Sequence, residues 1–165
     1  MNPLLKNIFT EAAKIIAAAN EKNIRIATAE SCTGGLIGAA LTAISGSSSC
    51  FDGGIIAYSN DVKIKQLNVP ADMIETHGAV SETVVCAMAK GARDALGVDL
   101  AISVTGIAGP SGGSPQKPVG TVWVGIATKD AVTAQLFKFG DIGRNKVRDH
   151  TCLEALKIMS LYVKS

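Results

Sequence analysis

The spacing of apolar residues along the chain predicts alternating helices and strands. Apolar residues recur every three or four positions, as in helices with one buried face, over 3–21, 33–44, 81–96 and 145–163. Shorter helical segments are predicted after Ser59 and over 70–76. β-Branched and apolar runs predict strands at 24–28, 53–58, 100–104, 120–128 and 132–139. The Gly- and Pro-rich stretch 106–118 predicts a long loop, a feature that is usually functional in a small domain.

This order of elements predicts an α/β fold, a three-layer α/β/α sandwich, in a single domain over 1–165. The early strands alternate with helices, so they are expected to pair in parallel. Only residues 129–131 separate the last two strands, which predicts a hairpin whose last strand is antiparallel to its neighbour. We therefore expect a mixed, mostly parallel sheet of about five strands, with a ligand crevice beyond the C-terminal strand ends.

Composition and charge argue against several classes of function. A net charge of +2 and no basic stripe argue against direct contact with nucleic acid. No apolar run approaches the roughly 20 residues that span a bilayer, and the first residues do not resemble a signal peptide, so we expect a cytoplasmic protein with no membrane partner. The cysteines lack zinc-ligand spacing, and Glu30 and Asp141 form no carboxylate cluster. Neither a metal nor another cofactor is expected.

The segment between the first strand and the second helix contains a candidate nucleophile, Ser31. It comes just after the strand, and the residues before the helix include Thr33, Gly34 and Gly35. Backbone N–H groups at a helix N-terminus can bind an anion or a developing oxyanion. Alternatively, Ser31 or Thr33 only caps the helix, because Ser and Thr are common caps.

Polar residues that follow other strands favour the catalytic interpretation. Tyr58 and Thr105 also lie at predicted C-terminal strand ends, which meet at one edge of a parallel sheet. Cys32 is a rival nucleophile beside Ser31, but no histidine base accompanies it.

Lys63 is the candidate base. His77 and His150 lie away from the strand ends and no G-x-S-x-G motif is present, so a Ser–His–Asp triad is not expected. Lys63 lies about one turn into a helix, and helical side chains lean towards the N-terminus, which here faces the crevice. Tyr58 could relay a proton or position this lysine. Alternatively, Lys63 is a solvated helix lysine, because only burial or nearby positive charge would lower its pKa enough for a base.

Two further segments contain candidate ligand-binding residues. The loop 106–118 offers a lysine and three glycines that could line a ligand, Lys117, Gly106, Gly112 and Gly113, although it matches no standard nucleotide motif. Arg144 and Arg148 share one face near the start of the last helix, which suits a phosphate or carboxylate. Alternatively, Lys117 is a surface lysine and the two arginines form a solvated basic turn.

Taken together, the motifs resemble the CinA C-terminal domain family, named after the competence/damage-inducible protein CinA. The matching segments cover nearly the whole chain: Thr28–Gly35, Gly46–Ser48, Ala57–Asn60 with Lys63, His77–Glu82, Gly106–Gly113 and Lys117–Val122. The resemblance implies a three-layer fold and a metal-independent amidohydrolase for nicotinamide mononucleotide (NMN). It also implies Ser31 as nucleophile, with Tyr58 and Lys63 in support and Thr105 nearby.

Two segments depart from the family pattern. Leu67-Asn68-Val69 stands where the family usually has Leu-Gly-Val, and Gly140–Arg144 is two residues longer than the family's Gly-Asp-Arg turn. The longer turn leaves open which of Arg144 and Arg148 contacts a phosphate.

The leading hypothesis is hydrolysis of the NMN carboxamide to nicotinate mononucleotide and ammonia by Ser31, with Lys63 as base. Backbone N–H groups from Cys32 to Gly35 would bind the oxyanion, and Arg144 or Arg148 the 5′-phosphate. The alternative is a non-catalytic nucleotide-binding or protein-interaction module linked to competence or DNA damage. The expected partners are the nucleotide and, from the many small apolar residues, a second copy in a homodimer.

Overall fold

The chain forms a five-stranded mixed sheet between two layers of helices, which confirms the predicted fold class. The structure, a computed structural model, describes residues 2–165. The helices are α1 (Pro3–Lys22), α2 (Leu36–Thr42), α3 (Asn60–Leu67), α4 (Ala71–His77), α5 (Glu82–Leu96) and α6 (Arg144–Lys164). The strands are β1 (Ile26–Glu30), β2 (Phe51–Ile56), β3 (Leu100–Gly106), β4 (Thr121–Ala127) and β5 (Val132–Lys138).

The strand order β2-β1-β3-β4-β5 creates a crevice at the end of β1. β1 pairs in parallel with both β2 and β3, so that Glu30 lies opposite Ile56 and Val104. β4 is antiparallel to β3 and to β5, which confirms the hairpin and makes β5 run in the direction of β1–β3. From β1 the chain passes to β2 on one side and then to β3 on the other, and ligands of open α/β sheets bind at such a switch point.

Two apolar clusters fill the space on either side of the sheet. α1, α2 and α6 cover one face, where the sheet contributes large side chains such as Ile26, Ile102 and Val124. α3, α4 and α5 cover the other face, where the sheet contributes alanines. The small residues let α5 approach the sheet closely, since a Cβ at Gly125 would lie 2.7 Å from the carbonyl oxygen of Val85. This packing fixes the helices that border the C-terminal ends of β1–β3.

The predicted bounds are wrong by a few residues around β1, β2 and α2. β1 continues to Glu30, two residues further than predicted, because this charged residue is buried in the sheet against the usual preference. β2 covers 51–56 rather than 53–58. α2 begins at Leu36 rather than at residue 33, because Gly34 and Gly35 adopt positive φ angles of 61° and 105° in a turn before it.

We expect Gly91→Ala in α5 to destabilise the protein, although Gly→Ala within a helix usually stabilises by about 0.5–1 kcal/mol. The added Cβ would overlap the backbone carbonyl oxygen of Leu67 in α3, and such overpacking costs about 1–3 kcal/mol. Gly38→Ala in α2 is the matched control, because its Cβ would meet no neighbour closer than 3.6 Å. Urea denaturation should show a lower free energy of unfolding for Gly91→Ala alone. Equal stabilities of the two variants would contradict this packing.

Candidate functional site

A cavity of about 210 Å³ opens where β1, β2 and β3 end. Ser31 follows β1, Tyr58 follows β2, and Thr105 lies near the end of β3. Arg144, the first residue of α6, lines another side. The other lining residues are Cys32, Asn60, Lys63, Ala79, Val80, Gly106 and Ala108. The structure therefore brings together the hydroxyl, phenol and amine groups that the sequence placed at the predicted crevice.

Lys63 lines this cavity and is buried, with only 2% of the residue exposed. Its Nζ donates to the carbonyl oxygens of Ala57 (2.9 Å) and Tyr58 (3.2 Å) and lies 3.1 Å from Ser31 Oγ. The side chain of Ser59 accepts a hydrogen bond from Val62 N and so starts α3 where its first turn points Lys63 back to the strand ends. The solvated alternative for Lys63 is therefore wrong.

No carboxylate compensates the charge of this lysine. None of the ion pairs formed among residues 2–165 includes Lys63. Burial lowers the pKa of Lys63 from its ordinary value because the ammonium loses its hydration, an effect that the nearby Cys32 partly opposes. The environment thus favours a neutral amine more than water does.

Both protonation states of Lys63 satisfy their hydrogen bonds. In the ammonium form, the three N–H groups have the two carbonyls and Ser31 Oγ as acceptors. In the neutral form, two N–H groups can keep the carbonyls while the lone pair faces the Ser31 hydroxyl, which then donates. An amine that exchanges one proton with a hydroxyl in this way has the geometry of a general base.

Ser31, which is 8% exposed, has a clear advantage over Cys32 as a nucleophile. The hydroxyl contacts the Lys63 amine, whereas burial raises the pKa of the Cys32 thiol to about 12. Since only a thiolate is an effective nucleophile, Cys32 is disfavoured.

A carboxylate of the protein itself occupies the N-terminus of α2. Glu30, 1% exposed, accepts hydrogen bonds from Thr33 Oγ1 (2.7 Å) and from the backbone N–H groups of Gly35, Ile37 and Gly38 (2.8–3.1 Å). Binding of a ligand anion by Gly35 and the first turn of α2 is therefore not supported, because an internal anion already accepts from these N–H groups. The capping alternative is also wrong, since Gly35 is the N-cap residue and no side chain at that position caps the helix.

Arg148 holds the same turn from its other side. Its Nε donates to the carbonyl oxygen of Cys32 (3.2 Å), and its terminal nitrogen donates to that of Thr33 (3.0 Å). Arg148 does not line the cavity, so its predicted contact with a ligand phosphate is not supported. Within the described chain, the N–H groups of Cys32 and Thr33 donate to no acceptor of another residue. Of these two residues, Cys32 lines the cavity.

Arg144 is the arginine at the cavity. Its guanidinium donates to the carbonyl oxygen of Gly109 and to the phenol oxygen of Tyr58, both at 2.9 Å. Three of its five N–H groups remain for a ligand. The phenol, on a side chain that is 59% exposed, contacts Arg144 and makes no hydrogen bond to Lys63 or Ser31. The prediction that Tyr58 relays a proton between them is thus not supported, since it contacts Lys63 through its backbone carbonyl.

Several predicted ligand-binding residues lie outside the cavity lining, namely Thr33, Gly34, Gly35, Gly112, Gly113 and Lys117. Lys117 Nζ donates to the carbonyl oxygen of His77 (2.7 Å) and so connects the long loop to the end of α4. Thr105 lines the cavity, and its hydroxyl donates to the carbonyl oxygen of Ala79 (2.9 Å).

Sequence reasoning missed four lining residues, Asn60, Ala79, Val80 and Ala108. Asn60 could have been found from its place directly after Tyr58 and Ser59, at the start of the helix that bears Lys63. The other three are apolar and carry no chemical signal.

The structure offers no sign of a metal centre or of a membrane-spanning helix in the part of the chain that it describes. No three His, Cys, Asp or Glu side chains of residues 2–165 are grouped to hold a metal ion. None of the six helices there combines the length and the apolar character needed to cross a bilayer.

Comparison with known proteins identifies similar sequences. The family model of the CinA C-terminal domain matches residues 9–163. A CinA-like protein of Parasynechococcus marenigrum is 51% identical over 146 residues, which cover 88% of this chain and 35% of that protein. A CinA-like protein of Citrifermentans bemidjiense is 51% identical over 144 residues, which cover 87% of this chain and 34% of that protein. The chain thus spans about a third of the length of these curated relatives.

Solved structures share the fold along almost their whole length. The competence/damage inducible protein CihA from Agrobacterium tumefaciens superposes with a TM-score of 0.93 at 40% identity, over 96% of each chain. A CinA superfamily protein from Klebsiella pneumoniae gives a TM-score of 0.90 at 31% identity, over 94% of this chain and 97% of that chain.

We expect Lys63 to make stability depend on pH. Its folded pKa lies below the ordinary value of 10.5, so between the two values Lys63 binds more protons in the unfolded chain, and its contribution to the free energy of unfolding rises with pH. The buried cysteines, whose pKa values are raised, contribute in the opposite direction in the wild type and in the variants alike. Urea denaturation across this range should therefore show a difference in the free energy of unfolding between the wild type and Lys63→Met that increases with pH. Lys65→Met is the matched control, because Lys65 is exposed and pairs with Asp61. Parallel curves for the wild type and Lys63→Met would contradict the assigned shift.

Proposed function

We propose that this chain, which belongs to the CinA C-terminal domain family, hydrolyses the carboxamide of NMN to nicotinate mononucleotide and ammonia. The observation that carries the proposal is the contact between the Ser31 hydroxyl and the buried amine of Lys63. Family resemblance suggests the substrate, and the residues around the cavity suggest how the amide bond is broken.

The first step is attack of Ser31 Oγ on the carboxamide carbon. The hydroxyl proton passes to the neutral amine of Lys63, which lies 3.1 Å away and is held by the carbonyls of Ala57 and Tyr58. Such a positioned base contributes about 10²–10⁴-fold to the rate. Burial supports this role, since it lowers the pKa of the amine and so increases its neutral fraction.

The carbonyl oxygen becomes an oxyanion in this step and needs hydrogen-bond donors. Among the N–H groups of the turn, those of Gly34 and Gly35 already donate to Ser31 O and Glu30, whereas that of Cys32 is available. The N–H group of the residue after a nucleophile is a common oxyanion donor. We assign this role to Cys32, and a donor of this kind is worth about 10²–10³-fold in kcat.

The second half of the reaction uses the same amine. The Lys63 ammonium gives its proton to the departing nitrogen, ammonia leaves, and an ester joins the nicotinoyl carbon to Ser31 Oγ. Lys63, neutral again, takes a proton from an incoming water, which attacks the ester carbon. When this intermediate collapses, the bond between the carbon and Ser31 Oγ breaks and the Lys63 ammonium returns its proton to that oxygen. Nicotinate mononucleotide is released, and Ser31 and Lys63 regain their starting forms. Lys63 therefore serves as base and acid in turn.

The cavity suits part of the nucleotide rather than all of it. Its volume of about 210 Å³ is below the roughly 300–1,000 Å³ of complete small-molecule sites. We place the nicotinamide ring inside and the ribose phosphate at the mouth. There Arg144, already oriented by Gly109 and Tyr58, can donate its remaining N–H groups to the phosphate.

Replacement of Ser31 and Lys63 tests the activity directly. We expect Ser31→Ala and Lys63→Met each to lower the rate of ammonia release from NMN by at least about 10⁴-fold, because the two groups act as one unit. Lys65→Met should keep wild-type activity, since Lys65 forms a surface pair with Asp61. NMN binding by calorimetry without ammonia release from the wild type would instead support the non-catalytic module. Undiminished turnover in Ser31→Ala would remove Ser31 from its role.

The two arginines should affect different kinetic constants. Arg144→Gln should raise KM for NMN about tenfold or more with a smaller change in kcat, because a charge-assisted contact with the phosphate is lost. Arg148→Gln should lower kcat with little change in KM, because Arg148 holds the turn that carries Ser31 and Cys32. Steady-state kinetics checks both. The same pattern for the two variants would contradict the separate assignments.

A further inference from the structure

We propose that Ser31 and Lys63 also transfer acyl groups from the Ser31 ester to small neutral amines, which yields new amides as well as the free acid. This inference rests on the proposed function for the way in which the ester forms. The acceptor is identified by its chemistry: an amine about as small as ammonia that carries no positive charge.

The direction of the chemistry follows from the proton path. Lys63 is the only side chain that forms a hydrogen bond with Ser31 Oγ among residues 2–165. The proton must therefore return through Lys63 when ammonia departs. In the reverse of this step, an amine attacks the Ser31 ester and Lys63 accepts a proton from the amine. A catalyst of the forward step necessarily catalyses the reverse one, so an amine that occupies the place of ammonia should react.

The charges at the cavity decide which amines can enter. Its lining includes the guanidinium of Arg144 and the amine of Lys63, and none of the lining residues is Asp or Glu. At the ester stage Lys63 is neutral, so an ammonium ion would meet the positive charge of Arg144 with no carboxylate among the lining residues to stabilise it. A neutral amine meets hydrogen-bonding groups only. Only the neutral form of an amine has the lone pair that attacks the ester, and no lining carboxylate is present to bind or deprotonate an ammonium ion. The expected acceptors are therefore amines that are neutral at neutral pH, such as hydroxylamine and methoxyamine, rather than protonated ones such as methylamine.

The transfer step balances without any further reagent. The amine nitrogen attacks the ester carbon, and one N–H proton passes to neutral Lys63 Nζ. The tetrahedral intermediate collapses, the bond between the carbon and Ser31 Oγ breaks, and Lys63 returns the proton to that oxygen. With hydroxylamine the products are a hydroxamate and the free Ser31 hydroxyl. Nothing is oxidised or reduced.

The experiment incubates the full chain with NMN and increasing hydroxylamine and measures acid, hydroxamate and ammonia by mass spectrometry and a coupled assay. We expect the ratio of hydroxamate to acid to rise in proportion to the hydroxylamine concentration, while ammonia release does not fall. We expect methoxyamine also to act as an acceptor. At the same total concentration, methylamine should give at least about tenfold less amide product than methoxyamine, a ratio that corresponds to about 1.4 kcal/mol. Ser31→Ala gives the background reaction.

Separate outcomes distinguish this inference from the proposed function. Ammonia release with only acid formed, at every hydroxylamine concentration, would overturn acyl transfer and leave the amidase proposal intact. Equal use of methylamine and methoxyamine would overturn the selection by charge. A second acyl donor, methyl nicotinate, lacks the ribose phosphate. If NMN is inert, hydroxamate from this ester above the Ser31→Ala background still supports acyl transfer, and its absence overturns it.

Discussion

The site depends on the burial of an amine, that of Lys63, which pairs with no carboxylate of residues 2–165. An isolated ammonium in a protein interior is costly, so Lys63 is stable only because acceptors surround it. These acceptors are the carbonyls of Ala57 and Tyr58 beyond β2 and the hydroxyl of Ser31 beyond β1. The ends of two strands and the start of α3 must therefore keep their relative positions. The hydrogen bonds that stabilise Lys63 in the folded protein also align its amine with the Ser31 hydroxyl.

The turn that carries Ser31 is fixed by opposite charges on its two sides. The carboxylate of Glu30 binds the N–H groups at the start of α2, and the guanidinium of Arg148 binds the carbonyls of Cys32 and Thr33. A buried carboxylate would be unfavourable alone, but a helix N-terminus stabilises negative charge. Glu30 thus occupies the N–H groups at the start of α2, whereas the N–H group of Cys32 stays available. The turn is thereby held without any contribution from a ligand.

The sequence revealed local features of the site and missed contacts between distant residues. Apolar patterns and helix-start residues predicted the six α-helices and the five strands, although the short 3-10 helix Ser47–Ser49 was predicted as a turn or loop. The strand ends identified Ser31, Tyr58 and Thr105 as neighbours. Because helical side chains point towards the N-terminus of their helix, the sequence also predicted that Lys63 faces the crevice. Arg144 and Arg148 share a helix face, yet one reaches Tyr58 and the other a turn more than a hundred residues earlier. Periodicity contains no information on such partners, nor does it indicate that the acidic Glu30 lies buried in a strand.

α6 contributes Arg144 to the cavity and Arg148 to the turn at Ser31, and the order of synthesis determines when these contacts can form. α6 follows every other helix and strand of the described chain, so a ribosome delivers it after them. Until it docks, the turn at Ser31 lacks Arg148 and the cavity lacks Arg144. A nascent chain can already contain the serine and the lysine while its site is still incomplete. Completion of the site therefore requires that this last helix has been synthesised and has docked on the sheet.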